Sequence, residues 1–73
     1  MDKIAEKLKA WRASAGIHQE DAAEKAGVHQ STISRVEQGR QAPSVELLAT
    51  LARVYGVGAA ELAELLAEIG EGR

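Results

Sequence analysis

Residues 18–39 read HQEDAAEKAGVHQSTISRVEQG, and the stretch divides into a helix, a tight turn and a second helix. Over Gln19 to Ala26, the small apolar residues Ala22, Ala23 and Ala26 fall at i, i+1 and i+4 and form one stripe. Gly27 follows at the place where a helix ends with φ > 0, a conformation glycine enters without steric cost. Val28 is the apolar turn residue. The second helix is predicted over residues 30–38, with Ile33 and Val36 as its i, i+3 core pair and Gly39 as its stop.

Two short helices joined through a glycine turn, with a small residue (Ala23) at their closest approach, describe a helix-turn-helix. The outer face of the second helix holds Gln30, Ser31, Ser34 and Arg35, with Thr32 beside them. It carries one positive charge and no acid. Glutamine pairs with adenine edges, arginine with guanine, and serine or threonine with either. These four residues are therefore the expected base contacts.

The pattern extends outward through Gly16-Ile17-His18-Gln19-Glu20, Ala23, Gly27-Val28, the run from Ser31 to Gly39, and Pro43-Ser44 onward to Leu62. In these residues the chain resembles the Cro/repressor-type helix-turn-helix regulators, the XRE family, in uninterrupted register over residues 4–62. The resemblance implies an all-α fold: a compact five-helix bundle of the lambda-repressor-like DNA-binding domain type, with helices 2 and 3 forming the helix-turn-helix. It implies that Gln19 contacts the DNA backbone and that Arg40, in the loop after the reading helix, meets phosphate; Thr32 joins this positioning set. It also implies an ion pair between Arg12 and Glu37 that ties the first helix to the end of the reading helix. Such a pair fixes orientation more than it adds net stability.

The chain departs from the family at both helix starts. His18 and His29 stand at the N-cap positions where Ser or Thr is usual, and imidazole is a poor cap. Each sits where a DNA backbone contact is open to it, with simple exposure as the alternative. Ala22 and Ala26 are smaller than the leucines the family often has there, and Trp11 is the residue expected to refill the volume.

Seventy-three residues without cysteine allow one domain with a modest core, held by helix packing rather than by disulfides. The two histidines, at 18 and 29, do not make a metal site, and no cofactor is expected. The net charge of −2 runs against the basic footprint usual for a nucleic-acid binder. Its distribution is polarised, however. Over residues 1–58 basic residues outnumber acidic ones eight to seven, while Glu61, Glu64, Glu68 and Glu71 crowd the end of the chain against Arg73 alone. No activating base stands at motif spacing from any serine, and no glycine loop cradles phosphate, so an enzyme is not expected. The absence of an 18-residue apolar run and of a signal-like N-terminus points to a cytoplasmic protein, nucleoid-associated when DNA-bound, with no membrane partner.

The remaining helices complete the bundle. The first is expected over residues 2–15, capped by Asp2, with Ile4, Leu8, Trp11 and Ala15 on its apolar face and Lys3, Lys7 and Lys9 solvated. Ser44 caps a fourth helix whose core face is Val45, Leu48, Leu51, Ala52 and Tyr55, with Leu47 off that face. In the last helix, over residues 59–70, Leu62, Leu65, Leu66 and Ile69 fall at i, i+3, i+4 and i+7. A minimal five-helix domain is not expected to cover that stripe, so these four residues are the expected homodimer interface, in preference to packing on the chain's own core. The function these features imply is that of a sequence-specific double-stranded DNA-binding transcriptional regulator acting as a homodimer on a palindromic operator. A protein-interaction module of the same fold, binding a partner protein as an antitoxin does, is the alternative.

Overall fold

The computed structural model describes residues 3–71, and the side chains of residues 3–68. It contains five helices: α1 (Lys3–Ala15), α2 (Gln19–Ala26), α3 (Gln30–Glu37), α4 (Val45–Tyr55) and α5 (Ala59–Glu71), with no strand among the described residues. α1 packs on α3 and α4, α2 packs on the same two helices, and α5 packs back on α4. The fold is therefore all-α. Asp2 lies outside the described residues, as does the side chain of Ile69.

Four helices end in the same way. After α2, Gly27 enters the left-handed region at φ 74°, and Val28 N–H donates to the Ala23 carbonyl at 3.0 Å. The corresponding bond follows α1 (Ile17 to Arg12, 3.3 Å), α3 (Arg40 to Arg35, 2.9 Å) and α4 (Val57 to Ala52, 2.8 Å). This is a glycine C-cap whose closing residue ordinarily makes an apolar contact. Ile17, Val28 and Val57 make that contact, each packed against the core. The exception is the cap of α3, where the closing residue is the exposed Arg40. At the end of α3 the motif presents a cation to solvent.

Leu8, Ile33, Val36, Leu48, Leu51 and Leu65 are the largest fully buried side chains. Trp11 and Tyr55 join them in one cluster with Ala22, Ala23 and Ala52. Ala22 has no exposed surface at all and Ala23 is 3% exposed. Trp11 is buried with them.

Three expectations are corrected. Leu65 is 1% exposed and belongs to the core cluster, with Leu62 and Leu66 half-buried against it. The turn after Tyr55 folds α5 back onto α4, so Leu65, with Leu62 and Leu66 beside it, packs on the chain's own core, where the sequence pattern left it uncovered. Ala15, on the last turn of α1, is exposed, and Ile17 makes the core contact beyond it. Val45, first residue of α4, is 62% exposed. The stripe of α4 leans instead toward Leu47, which packs half-buried on the core. Ser44 does cap α4, its Oγ accepting from Leu47 N–H at 3.0 Å.

The Tyr55 hydroxyl is buried with no hydrogen-bond partner among the described residues. Burial, reinforced by the nearby Glu37 carboxylate, pushes its pKa up to about 12. A phenol of ordinary pKa ~10 in the unfolded chain ionises first there, so this contribution to stability is complete below about pH 10 and is lost as pH rises toward 12. Tyr55→Phe removes both the titration and the unsatisfied hydroxyl. It is expected to be neutral or stabilising by up to ~1 kcal/mol at pH 7 and to flatten the alkaline limb of urea-denaturation stability against pH. A steep alkaline limb in the Phe variant would contradict this.

Candidate nucleic-acid interface

In α3 the two faces divide cleanly. Ile33 and Val36 point inward at 1% exposure each. Gln30, Ser31 and Arg35 are exposed on the other side, with Thr32 and Ser34 half-buried. The four expected base contacts therefore share one outward face.

Two further side chains reach that face. Gln38 Nε2 donates to Ser34 Oγ at 3.0 Å, and Arg35 Nε donates to Gln41 Oε1 at 2.9 Å. Neither glutamine was among the expected site residues. The Gln38 contact is legible afterwards, since i and i+4 side chains meet on a helix. The Gln41 contact depends on the chain reversal at Gly39 and has no periodic signature.

The helix starts have extended N-cap residues, His18 (φ −80°, ψ 158°) and His29 (φ −78°, ψ 150°), and neither side chain bonds a backbone N–H. Both histidines are exposed. Without a side-chain cap, the first N–H groups of α2 and α3 lie at the positive end of each helix dipole, an arrangement that suits an anion, although the Thr32 N–H already donates to the His29 carbonyl at 3.0 Å. The two ends differ in charge: the first turn of α2 contains Glu20 and Asp21, whereas that of α3 contains no acid. The α3 end is the more favourable for phosphate.

Beneath the face lies an ion-pair network. Arg12 meets Glu37 in a bidentate pair, Nε to Oε2 at 2.6 Å and Nη2 to Oε1 at 2.9 Å, with side chains only 16% and 4% exposed. Arg12 Nη1 also donates to the Ile17 carbonyl at 3.0 Å, and Gln19 Nε2 donates to Glu37 Oε1 at 3.0 Å. Hydrogen bonding to Glu37 raises the Arg12 pKa above its ordinary value, against the opposing effect of burial. One carboxylate thus ties the end of α1, the start of α2 and the end of α3. Arg12 in turn neutralises Glu37, the sole acid of α3. Gln19 spends one amide N–H on this network and retains the other, together with its backbone N–H, for a second partner.

Residues 3–65 match the helix-turn-helix domain family. The chain belongs to that family, as a transcriptional regulator of the Cro/repressor or XRE type with its DNA-binding fold. It is 43% identical over 51 residues to an uncharacterised HTH-type transcriptional regulator of Methanocaldococcus jannaschii, covering 70% of this chain and 77% of that protein. Among solved structures it resembles the clp gene regulator ClgR of C. glutamicum, with a TM-score of 0.74, 30% identity, and 81% and 76% of the two chains covered. It also resembles SinR, the master regulator for biofilm formation, solved in complex with DNA, with a TM-score of 0.72, 33% identity, and 82% and 97% covered. SinR has been solved in a complex with SinI as well.

Proposed function

We propose that this regulator reads double-stranded DNA sequence-specifically, as a homodimer on a palindromic operator, with α3 in the major groove. The observation that carries the reading is the outward face of α3: polar, free of uncompensated acid, and rigidly backed by Ile33, Val36 and the Arg12–Glu37 pair. Gln30, Ser31, Ser34 and Arg35 read base edges. Gln19, Thr32, Arg40, His18 and His29 hold the backbone. Two α3 helices reach successive major grooves when the half-sites lie about 34–36 Å apart. The remaining apolar surface of α5, at the half-buried Leu62 and Leu66, supports the self-association. Acting on DNA, the protein works in the cytoplasm and on the nucleoid. Support from relatives comes from SinR, whose fold is shared and which binds DNA.

The test is selection of bound duplexes from a random library. A two-fold symmetric motif is expected, and Arg35→Ala should erase preference at one position per half-site, a loss of ~1–3 kcal/mol in discrimination. Because few cations face the groove, log K against log salt should fall with a slope no steeper than about −3 per chain, as for two or three neutralised phosphates. Enrichment of no motif by the wild-type chain would overturn the reading. The alternative, a partner-binding module, is favoured by SinR's complex with SinI and by the acidic outer face of α5, where Glu61 and Glu64 are exposed.

A further inference from the structure

We propose that Gln41, in the loop after the reading helix, is a positioning residue for Arg35 that presets how its guanidinium meets a base; the proposal rests on the DNA reading above. Arg35 stands in the last turn of α3, exposed. Gly39 then reverses the chain at φ 75°, and the Arg40 N–H bond to the Arg35 carbonyl at 2.9 Å clamps that reversal. The clamp returns the half-buried Gln41 to the Arg35 side chain, where its Oε1 accepts from Nε at 2.9 Å. The polarity of this bond follows from chemistry, because an arginine Nε–H only donates.

Two consequences follow. Arginine reads guanine through paired donors to O6 and N7. With Nε engaged, a side-on contact through Nε and one Nη is blocked, while the end-on pair of Nη groups stays free. The free protein thus keeps the end-on fork, one outer hydrogen on each Nη, available for the paired contact. Second, a long side chain that is ordered before binding loses less entropy on binding. Gln41 touches no base in this scheme. It acts through Arg35.

The test compares the wild type with Gln41→Ala and Gln41→Glu, the second of which retains an acceptor. In the free protein, ¹⁵N relaxation of the Arg35 Nε–H is expected to show an ordered group in the wild type and in Gln41→Glu, and a mobile one in Gln41→Ala. In duplex selection, Gln41→Ala should lower guanine preference by about two- to tenfold at the position that Arg35→Ala erases, leaving other positions and the melting temperature unchanged. Gln41→Glu should restore that preference while weakening total affinity through repulsion from phosphate. An Arg35 Nε–H equally mobile in all three proteins overturns the proposal, as does an even loss of preference across the whole motif. A motif that Gln41→Ala leaves intact overturns the role of Gln41 alone. A wild-type chain that selects no motif fails the DNA reading itself and takes this role down with it.

Discussion

Arg12→Ala is expected to destabilise the fold by about 3–5 kcal/mol, because it strands the Glu37 carboxylate. That side chain is 4% exposed and accepts two of its three hydrogen bonds from Arg12. In the variant only Gln19 remains as a side-chain partner among the described residues, and the Ile17 carbonyl loses its Nη1 donor. A chain of 73 residues has a total stability of roughly 4–11 kcal/mol, so the loss removes a large share of it. Urea denaturation followed by circular dichroism measures the effect, with a melting-temperature drop of about 4–8 °C per kcal/mol. The cost belongs to the broken pair rather than to the pair's net worth. Replacing both residues by apolar ones of similar volume should therefore recover much of the stability, while the tie between α1, α2 and α3 is still gone. DNA affinity should then fall more than stability does. A single variant that loses less than ~1 kcal/mol would show the pair behaving as a surface salt bridge.

The second large effect is expected from Trp11→Ala, at about 3–5 kcal/mol. The ring is 7% exposed and sits in the cluster with Leu8, Ala22, Ala23 and Tyr55. Because Ala22 and Ala23 are already small, the surroundings have little material with which to close the cavity, which places the cost toward the upper part of the range. Trp11→Phe should cost much less. The indole Nε1 is buried without a hydrogen-bond partner among the described residues, so phenylalanine loses volume but also removes an unsatisfied donor. Comparable losses for the two variants would indicate that shape, not bulk, holds the site.

The helix starts and stops were readable because their causes are local. Gly27, Gly39 and Gly56 terminate helices at φ 73–75°, and Ser44 caps α4 through its own hydroxyl. The spacing of Ile33 and Val36 set which side of α3 turns outward. The Arg12–Glu37 contact, 25 residues apart in the chain, has no local cause; only the likeness to a known family suggested it. The gap was Gln41, whose bond to Arg35 crosses a chain reversal and follows neither helical nor strand spacing.

By itself, then, the sequence determined five helices, their boundaries to within about a residue, and the polar composition of the outward face of α3, since capping, glycine conformation and apolar period act within a few residues of the chain. The tertiary structure alone decided where each stripe would be spent. The period of α5 is the same whether Leu65 meets a second copy or its own core. The fold-back onto α4 put it at 1% exposure inside the chain. Val45 and Ala15 continue apolar stripes and are nonetheless exposed, because at a helix end there is no neighbouring element for them to cover. Periodicity specifies a face; only packing supplies what that face meets.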